Sequence, residues 1–446
     1  MSKQDQRAKA VSVSLSFLSS LKDFKNIFAL LTFLFAASLS FQTGFKVDTS
    51  QAYVFGFLTD YFIFSIHFSD IIILIFSALI IYRYQPYQGA QISVIQKISL
   101  LLFLVLVLQW LFFSQNPKLI YFGLFNILIF FLTILCIYLQ CLSKKSLLKT
   151  IHFFALGLVS GLIVAVSIGL IQFSAGNSPD IPIFGSYKFS SQTPNIALGS
   201  VFGHDFLRAY GTTPHPNIFG ALLVFGIGFI LFLIRKTKIH SVKIIYSICL
   251  LILLLGLGMS FSRTASAMLI VLIFFQTKQF LQGRNWGFLL FIFALALLAI
   301  LFISGLTIYS KSVVERFELN LIGLKIFFDN PIFGVGINNY LISAQSYFFQ
   351  SFNLRLFQPP HNLVILFLSQ FGIIGLVSIS IIIHRPLNIM FRVKNEIFQL
   401  LLIPLFLAFV TGSMFDHYFM TQFQPFLLVA ALTGFILGST KMLDFK

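Results

Sequence analysis

The chain has 446 residues, of which 58% are apolar, 17% aromatic and only 10% charged. Because a soluble globular protein carries about 25% charged residues, this composition excludes an ordinary soluble enzyme and favours a protein dissolved in lipid. Disorder and a collagen-like fibre do not fit so apolar a sequence, and its three cysteines match no disulfide framework or zinc spacing. The net charge of +17 is compatible with nucleic-acid binding, so its distribution along the chain decides its meaning.

Long apolar runs predict an all-α polytopic membrane helix bundle that forms a single integral membrane domain over residues 1–446. A helix needs about 20 mostly apolar residues to cross the hydrocarbon core. In chain order, the twelve candidate spans cover residues 27–45, 63–82, 98–114, 119–141, 151–174, 216–234, 243–260, 264–280, 287–309, 361–383, 399–415 and 425–440. The first span resembles a signal peptide, but the spans that follow it favour an uncleaved signal anchor.

The basic residues give the orientation. With these spans, 21 of the 30 Lys and Arg residues fall on the side that holds both termini, and 9 fall on the other side. The positive-inside rule therefore places both termini in the cytoplasm. Topology accounts for most of the basic excess, so nucleic acid is not an expected partner.

Two predicted outer connections are long, at residues 175–215 and 310–360, and loops of that size are usually lids or binding loops. The functional face is therefore expected to be the outer one. Within 310–328, apolar residues recur at helical spacing with charged residues between them. This pattern predicts a short amphipathic helix, either lying along the membrane surface or packed on the bundle.

The first outer stretch with candidate chemistry is Arg208-Ala-Tyr-Gly-Thr-Thr-Pro-His-Pro-Asn217. Its prolines set the start of the next helix, since proline is tolerated in a first turn. His215 and Asn217 then lie where backbone N–H groups favour an anion. Simple helix capping by these two residues, and a solvated loop charge at Arg208, are the alternatives.

A second stretch, Ser260-Phe-Ser-Arg263-Thr-Ala-Ser266, is predicted to form a tight outer turn. Small residues around Arg263 leave room for a large ligand to approach the guanidinium. The alternative is an arginine that snorkels to the membrane interface, although basic residues favour the cytoplasmic side.

The third stretch is Phe357-Gln-Pro-Pro-His361-Asn362, followed by an apolar helix that contains Gly372-Ile-Ile-Gly375. The prolines are expected to start the helix near His361, so that this residue falls in the first turn. At about 100° per residue, both glycines return close to the face of His361 and would let a neighbouring helix pack closely. Generic membrane packing by the glycines, and a polar cap at His361, are the alternatives.

Together these stretches resemble the O-antigen ligase and O-antigen polymerase superfamily. The pattern His361-Asn362 with Gly372-x-x-Gly375 is similar to its signature, and the resemblance extends over residues 200–425. Further similar stretches are Arg208-Ala-Tyr-Gly with His215-Pro-Asn217, Ser262-Arg263, Asn330-Pro-Ile-Phe-Gly334-Val-Gly336 and Phe415-Asp416-His417-Tyr418. The resemblance implies a glycosyltransferase that uses polyprenyl-diphosphate-linked glycans at the outer, periplasmic face of the bacterial inner membrane.

Residue chemistry and the resemblance point to the same roles. The acceptor hydroxyl needs a base that is unprotonated near neutral pH, which suits His361 at a helix N-terminus. The diphosphate leaving group gains charge, which suits guanidinium groups at Arg208 and Arg263. Substrate-binding side chains are expected at His215, Asn217, Asn362, Arg316, Asp416 and His417. No Asp-x-Asp pair is present, so transfer without a metal or other cofactor is expected.

Several alternatives stay open. The acceptor is a lipid-borne glycan in a ligase, another lipid-linked glycan in a polymerase, and a protein in an O-glycosyltransferase. A glycan or lipid transporter is the non-enzyme alternative, since transporters place polar groups at membrane depth. The candidates for such groups are Asp70, His67, Gln109, Asn126 and Gln172.

Overall fold

α-Helices dominate the computed structural model, which describes residues 26–47, 53–54, 57–84, 94–114, 116–201, 204–277, 311–348 and 357–444. In chain order the helices are α1 Asn26–Ser38, α2 Phe68–Tyr84, α3 Val94–Phe113, α4 Pro117–Gln140, α5 Lys144–Ala175, α6 Pro216–Lys236, α7 His240–Ser260, α8 Arg263–Thr277, α9 Lys311–Asp329, α10 Tyr340–Phe348, α11 Leu363–Arg392, α12 Ile403–Phe415, α13 Tyr418–Thr421 and α14 Phe423–Asp444. A π-helical turn, Phe398–Leu402, leads directly into α12.

In the described part of the chain, seven helices are long and apolar enough to cross a membrane by length and composition. These are α4, α5, α6, α7, α11, α14 and the continuous segment Phe398–Phe415. Shorter apolar helices lie at Asn26–Ser38, Leu100–Phe113 and Arg263–Thr277. The predicted all-α polytopic membrane fold is confirmed, while the span predicted at 287–309 lies outside the described residues.

Three short antiparallel strand pairs accompany the helices: β1 Gly44–Val47 with β4 Phe64–His67, β2 Tyr53–Val54 with β3 Phe57–Leu58, and β5 Leu198–Val201 with β6 His204–Leu207. The first pair corrects two predicted spans. The span predicted at 27–45 ends as a helix at Ser38, and the span predicted at 63–82 begins as a helix only at Phe68. Hydropathy alone does not separate helix from strand, and the flanking apolar residues pair as β1 and β4.

Local capping signals set where several helices begin. Asn116 caps α4 ahead of Pro117, Ser143 and Ser146 form a reciprocal capping box at α5, and His215 caps α6 ahead of Pro216. Each cap satisfies backbone N–H groups that have no partner inside the helix. Helix α6 lies at the centre of the bundle, since 89% of its 18-residue apolar stretch is buried. It packs against α5, α7 and α8.

Helix α11 is broken at Gly372, which takes φ 60° and ψ −166°. An ideal Cβ on this residue would lie 2.3 Å from the carbonyl oxygen of Ile332, so both the backbone angles and the available space require glycine. The segment 331–336 lies in the break and replaces the lost helical bonds: Val335 N donates to Ser369 O (2.9 Å) and Ile373 N to Pro331 O (2.8 Å). Buried non-helical backbone of this kind is tolerated in a membrane protein because protein groups satisfy it.

Candidate active site

The predicted site residues lie at one end of the bundle, where α6, α8 and α11 begin and α12 ends. The structure brings together side chains from three distant parts of the sequence: Arg208 and Asn217 from one stretch, His361 from a second and Asp416 from a third. Arg208 Nη2 donates to Asn217 Oδ1 at 2.9 Å, and Asn217 Nδ2 donates to Asp416 Oδ2 at 3.1 Å. Asp416 Oδ1 in turn lies 3.4 Å from His361 Nδ1. An unbroken series of polar contacts therefore links Arg208 to His361.

Contacts to two other helices hold the Arg208–Asn217 loop. Arg208 Nε donates to Ser260 O at 2.8 Å, which joins the loop to the end of α7. Gln172 on α5 accepts from Tyr210 N (2.9 Å) and Gly211 N (2.8 Å), and its amide donates to Gly211 O (2.9 Å) and Ser178 Oγ (3.0 Å). Both polar atoms of Gln172 are thus used within the protein. This residue was a transport candidate in the sequence, and in the structure it holds the loop.

His361 lies one residue before the helix cap and therefore outside the first helical turn predicted for it. Helix α11 starts at Leu363 with Asn362 as its cap, whose Oδ1 accepts from Val364 N and Ile365 N. The expectation that His361 falls in the first helical turn is therefore wrong, because the asparagine side chain caps the helix instead. The side chain of His361 is 14% exposed, and its Nδ1 has no hydrogen bond among the described residues, although Asp416 is near.

The close-packing role predicted for Gly372 and Gly375 also needs correction. The periodicity argument assumed a continuous helix, whereas the break at Gly372 rotates the two halves of α11 relative to each other. Gly372 instead lets the 331–336 segment cross the helix, which explains why a glycine-containing stretch precedes the histidine in the sequence.

Two further guanidinium groups lie at this end of the bundle. Arg263 is the first residue of α8, is exposed, and has no hydrogen-bond partner in the part of the chain that the structure describes. Arg316 on α9 donates from Nη1 to Phe415 O at 3.2 Å, beside Asp416. Burial first, and then repulsion from Arg263 and Arg316, lowers the pKa of Arg208 to about 10. Arg208 therefore still carries charge at neutral pH.

The neighbouring histidines are neutral at that pH. Burial, followed by the charge of Arg208, lowers the pKa of His215 to about 4, and burial lowers the pKa of His417 to about 3. Burial alone would raise the pKa of Asp416, but the adjacent His361, His417 and Arg316 hold it well below its usual value. Among these site residues, one carboxylate lies at the same end of the bundle as three guanidiniums. The surplus of positive charge, together with three helix N-termini, favours an anion.

His361, Asp416 and His417 also form a possible metal-binding group. Each offers one ligand atom, and these atoms lie within 4.8 Å of one another. Two imidazoles and a carboxylate form a ligand set that Zn²⁺ accepts. Protein groups already contact part of this set, since His417 Nδ1 lies 2.8 Å from Thr421 Oγ1 and Asp416 Oδ1 accepts from His417 N at 2.9 Å.

The sequence missed some residues that support the site. Ser260 contributes only a carbonyl oxygen, and Thr421 contacts His417 from the next short helix. A backbone acceptor leaves no trace in residue type, so no sequence signal could have identified Ser260. Thr421 lies four residues after His417, which is one helical turn, and that spacing was the available signal.

Comparison with known proteins places part of this site in a family. No curated protein matches the chain. The family model described as O-Antigen ligase matches residues 248–380, which include Arg263, Arg316, His361 and Gly372, whereas Arg208 and Asp416 lie outside the match. The resemblance seen in the sequence is confirmed over this region, and the chain carries a domain of the O-antigen ligase superfamily at residues 248–380.

Proposed function

We propose that the protein is a glycosyltransferase of the bacterial inner membrane, with both termini in the cytoplasm and its site open to the periplasm. It transfers a glycan from a polyprenyl-diphosphate carrier to an acceptor hydroxyl. The observation that carries this proposal is the series of contacts from Arg208 through Asn217 and Asp416 to His361. This series links His361, the proposed base, to the arginines of the proposed anion-binding cluster, and the match to the O-antigen ligase family over residues 248–380 supports the same reaction.

His361 is the proposed general base. Its Nδ1 faces Asp416, which favours a proton on Nδ1 and leaves Nε2 with a lone pair for the acceptor hydroxyl. The acceptor oxygen attacks the anomeric carbon, its proton passes to Nε2, and the bond from that carbon to the diphosphate oxygen breaks. Asp416 then stabilises the imidazolium that has formed. Hydrogen bonds of this kind often tighten only when substrate is bound.

The arginines are the proposed diphosphate clamp. Arg208 is fixed by two hydrogen bonds through Nε and Nη2, while its Nη1 has no partner among the described residues. Arg263 is unpaired within the same residues. Preorganised guanidiniums stabilise the charge that develops on a leaving phosphate and bind its oxygens bidentately. His215, Asn217, Asn362, Arg316 and His417 are proposed to bind substrate or to position these groups.

Transfer is proposed to be metal-independent, although the His361, Asp416 and His417 group makes this a question for experiment. Full activity in excess chelator is the expected result. Loss of activity that added Zn²⁺ or Mg²⁺ restores would reject the proposal of metal independence and would assign these three side chains to a metal.

A transporter is the second candidate class, and the structure gives it less support. Gln172 is fully engaged in holding a loop, and Asp70 lies beside His67 at the outer end of α2 rather than in the middle of a span. The acceptor, whether a lipid-borne glycan, another lipid-linked glycan or a protein, depends on the outer loops. Ligase-like transfer to a lipid-borne glycan is the proposal; polymerase and protein O-glycosyltransferase activities are its alternatives.

The decisive experiment uses purified protein in vesicles with lipid-linked glycan and acceptor extracted from the source cells. His361→Ala is expected to abolish transfer. An exposed histidine, His240 at the start of α7, provides the matched control, because His240→Ala should leave transfer unchanged. Undiminished transfer by a correctly inserted His361→Ala variant would remove the catalytic role of His361.

A further inference from the structure

A cavity of about 150 Å³ adjoins the proposed active site and lies between β4, α4, α10 and α14. Three of its lining residues connect it to that site. Pro214 precedes His215, Pro359 lies two residues before His361, and Thr421 contacts His417 Nδ1 at 2.8 Å. The cavity is therefore lined by the segments that carry His215 and the proposed base, and by a residue that contacts His417.

Polar groups with unused hydrogen-bonding capacity line this cavity. Tyr340 is only 1% exposed, and its hydroxyl has no hydrogen-bond partner among the described residues. Gln370 is 5% exposed; its Oε1 accepts from Asn338 N at 3.2 Å, which leaves Nε2 unpaired within the same residues. Asn126 on α4, which is exposed, also lines the cavity. Because buried polar groups are nearly always hydrogen-bonded, such a cluster indicates a ligand with several hydroxyl or amide groups.

A carboxylate and aromatic rings complete the lining. Asp70, 4% exposed, accepts from His67 N at 2.8 Å, and its carboxyl oxygens keep further lone pairs for ligand hydroxyls. The ring of His67 stacks on Phe423, and the ring of Tyr61 approaches the edge of His417. Such rings can cover the apolar C–H face of a bound molecule.

This combination selects one class of ligand. A buried carboxylate disfavours binding of a diphosphate, although Lys46 also lines the cavity at its exposed edge. The unpaired polar groups disfavour binding of a polyprenyl tail. The volume is below the about 300–1,000 Å³ typical of pockets for drug-sized ligands, which suits a single small ring. Hydroxyl-rich rings with one apolar face are sugars.

We infer that this cavity is the subsite for a single sugar ring, either the donor sugar next to the diphosphate or the acceptor sugar that carries the attacking hydroxyl. The inference rests on the proposed function and deepens it. His67, Asp70 and Asn126 come from the first third of the chain, outside the family match at 248–380. The N-terminal part thus contributes one side of the cavity, while the matched region contributes Tyr340, Gln370 and the proposed base.

The test compares wild type with Tyr340→Phe and Asn126→Ala in the vesicle transfer assay. Tyr340→Phe removes one hydroxyl and keeps the ring, so KM should rise about threefold to tenfold, as expected for one neutral hydrogen bond, with kcat within about twofold of wild type. Tyr246→Phe on α7 is the matched control and should change nothing. A KM change for the lipid-linked glycan alone assigns the donor sugar; a change for the acceptor alone assigns the acceptor sugar.

A second measurement separates this inference from the proposed function. Equilibrium dialysis in a sugar-free detergent, with radiolabelled glucose, galactose and N-acetylglucosamine as probes, should show saturable binding that Tyr340→Phe weakens and His361→Ala preserves. Unchanged KM values for both substrates in both cavity variants would overturn the inference while leaving the proposed function intact. If wild type transfers no glycan, the proposed function fails, and dialysis alone decides: weakened binding by Tyr340→Phe sustains the sugar subsite, and absence of saturable binding overturns it.

Discussion

Replacement of Asp416 by asparagine is the sharpest test of the contact between the carboxylate and the proposed base. The amide is nearly isosteric, but its single oxygen can accept from only one of Asn217 Nδ2 and the backbone N–H of His417, which Asp416 accepts on separate oxygens. The change removes the negative charge that faces His361 together with one acceptor. A loss of rate in a variant of unchanged thermal stability reports on the polar contact between Asp416 and His361.

The structure sets the size of the loss. Opposite unit charges 3.4 Å apart attract by about 5 kcal/mol at an effective dielectric constant of about 20. Solvent reaches part of His361, and Arg316 competes for the same carboxylate, so roughly half of this value remains for the imidazolium that forms during transfer. A tenfold change in rate corresponds to about 1.4 kcal/mol of activation free energy, so the loss of about 2.5 kcal/mol should lower kcat about 10²-fold. The full attraction of about 5 kcal/mol sets an upper limit of about 10³- to 10⁴-fold.

The assay is steady-state glycan transfer in vesicles, with kcat and KM measured separately for each substrate. Asp205→Asn changes an exposed acid in β6 and is the matched control. Asp416→Asn should also add little to His361→Gln, since residues that act as a unit are not additive. A kcat within about twofold of wild type, in a variant that unfolds at the wild-type temperature, would refute the role assigned to Asp416.

Three other outcomes follow from the geometry. Arg263→Gln should lower kcat/KM about 10²- to 10³-fold without changing the unfolding temperature, because Arg263 has no partner among the described residues; a matching fall in thermal stability would contradict this. His215 and His417 keep depressed pKa values of about 4 and about 3 when folded, so the unfolded chain takes up their protons first. Their contribution to stability should be complete above about pH 6.5 and fall as pH drops toward 4, and His417→Gln should flatten a plot of unfolding temperature against pH. Gly372→Ala should cost at least about 1–3 kcal/mol in unfolding measurements, whereas Gly258→Ala, where an added Cβ meets nothing within 4 Å, should be neutral.

Local chemistry made part of this molecule predictable. The prolines and polar residues around His215 and Asn362 indicated where two helices begin, and the structure starts α6 and α11 within two residues of those positions. Caps and prolines act through their own backbone neighbours, so the sequence contains the whole cause. The strands β1 and β4 were not predictable in this way. Their residues pair with partners 17 to 23 positions away, and in a hydropathy profile they look the same as the ends of two membrane helices.

The partners of His361 could not be predicted from local sequence either. Asp416 is 55 positions away, and residue type alone gave it no more weight than the other outer acids; only the resemblance singled it out.

The structure also shows why a correct motif led to an incorrect mechanism for Gly372. Periodicity treats a run of apolar residues as one helix, whereas a glycine at φ 60° ends the helical repeat and opens a path for another segment. The 331–336 backbone crosses there, its Gly336 N–H bonds to Gln370 O at 3.0 Å, and the Gln370 side chain reaches the proposed sugar cavity. The spacing between the histidine and the glycine therefore fixes where the cavity lies relative to the base, and shifting Gly372 by one residue should separate the two.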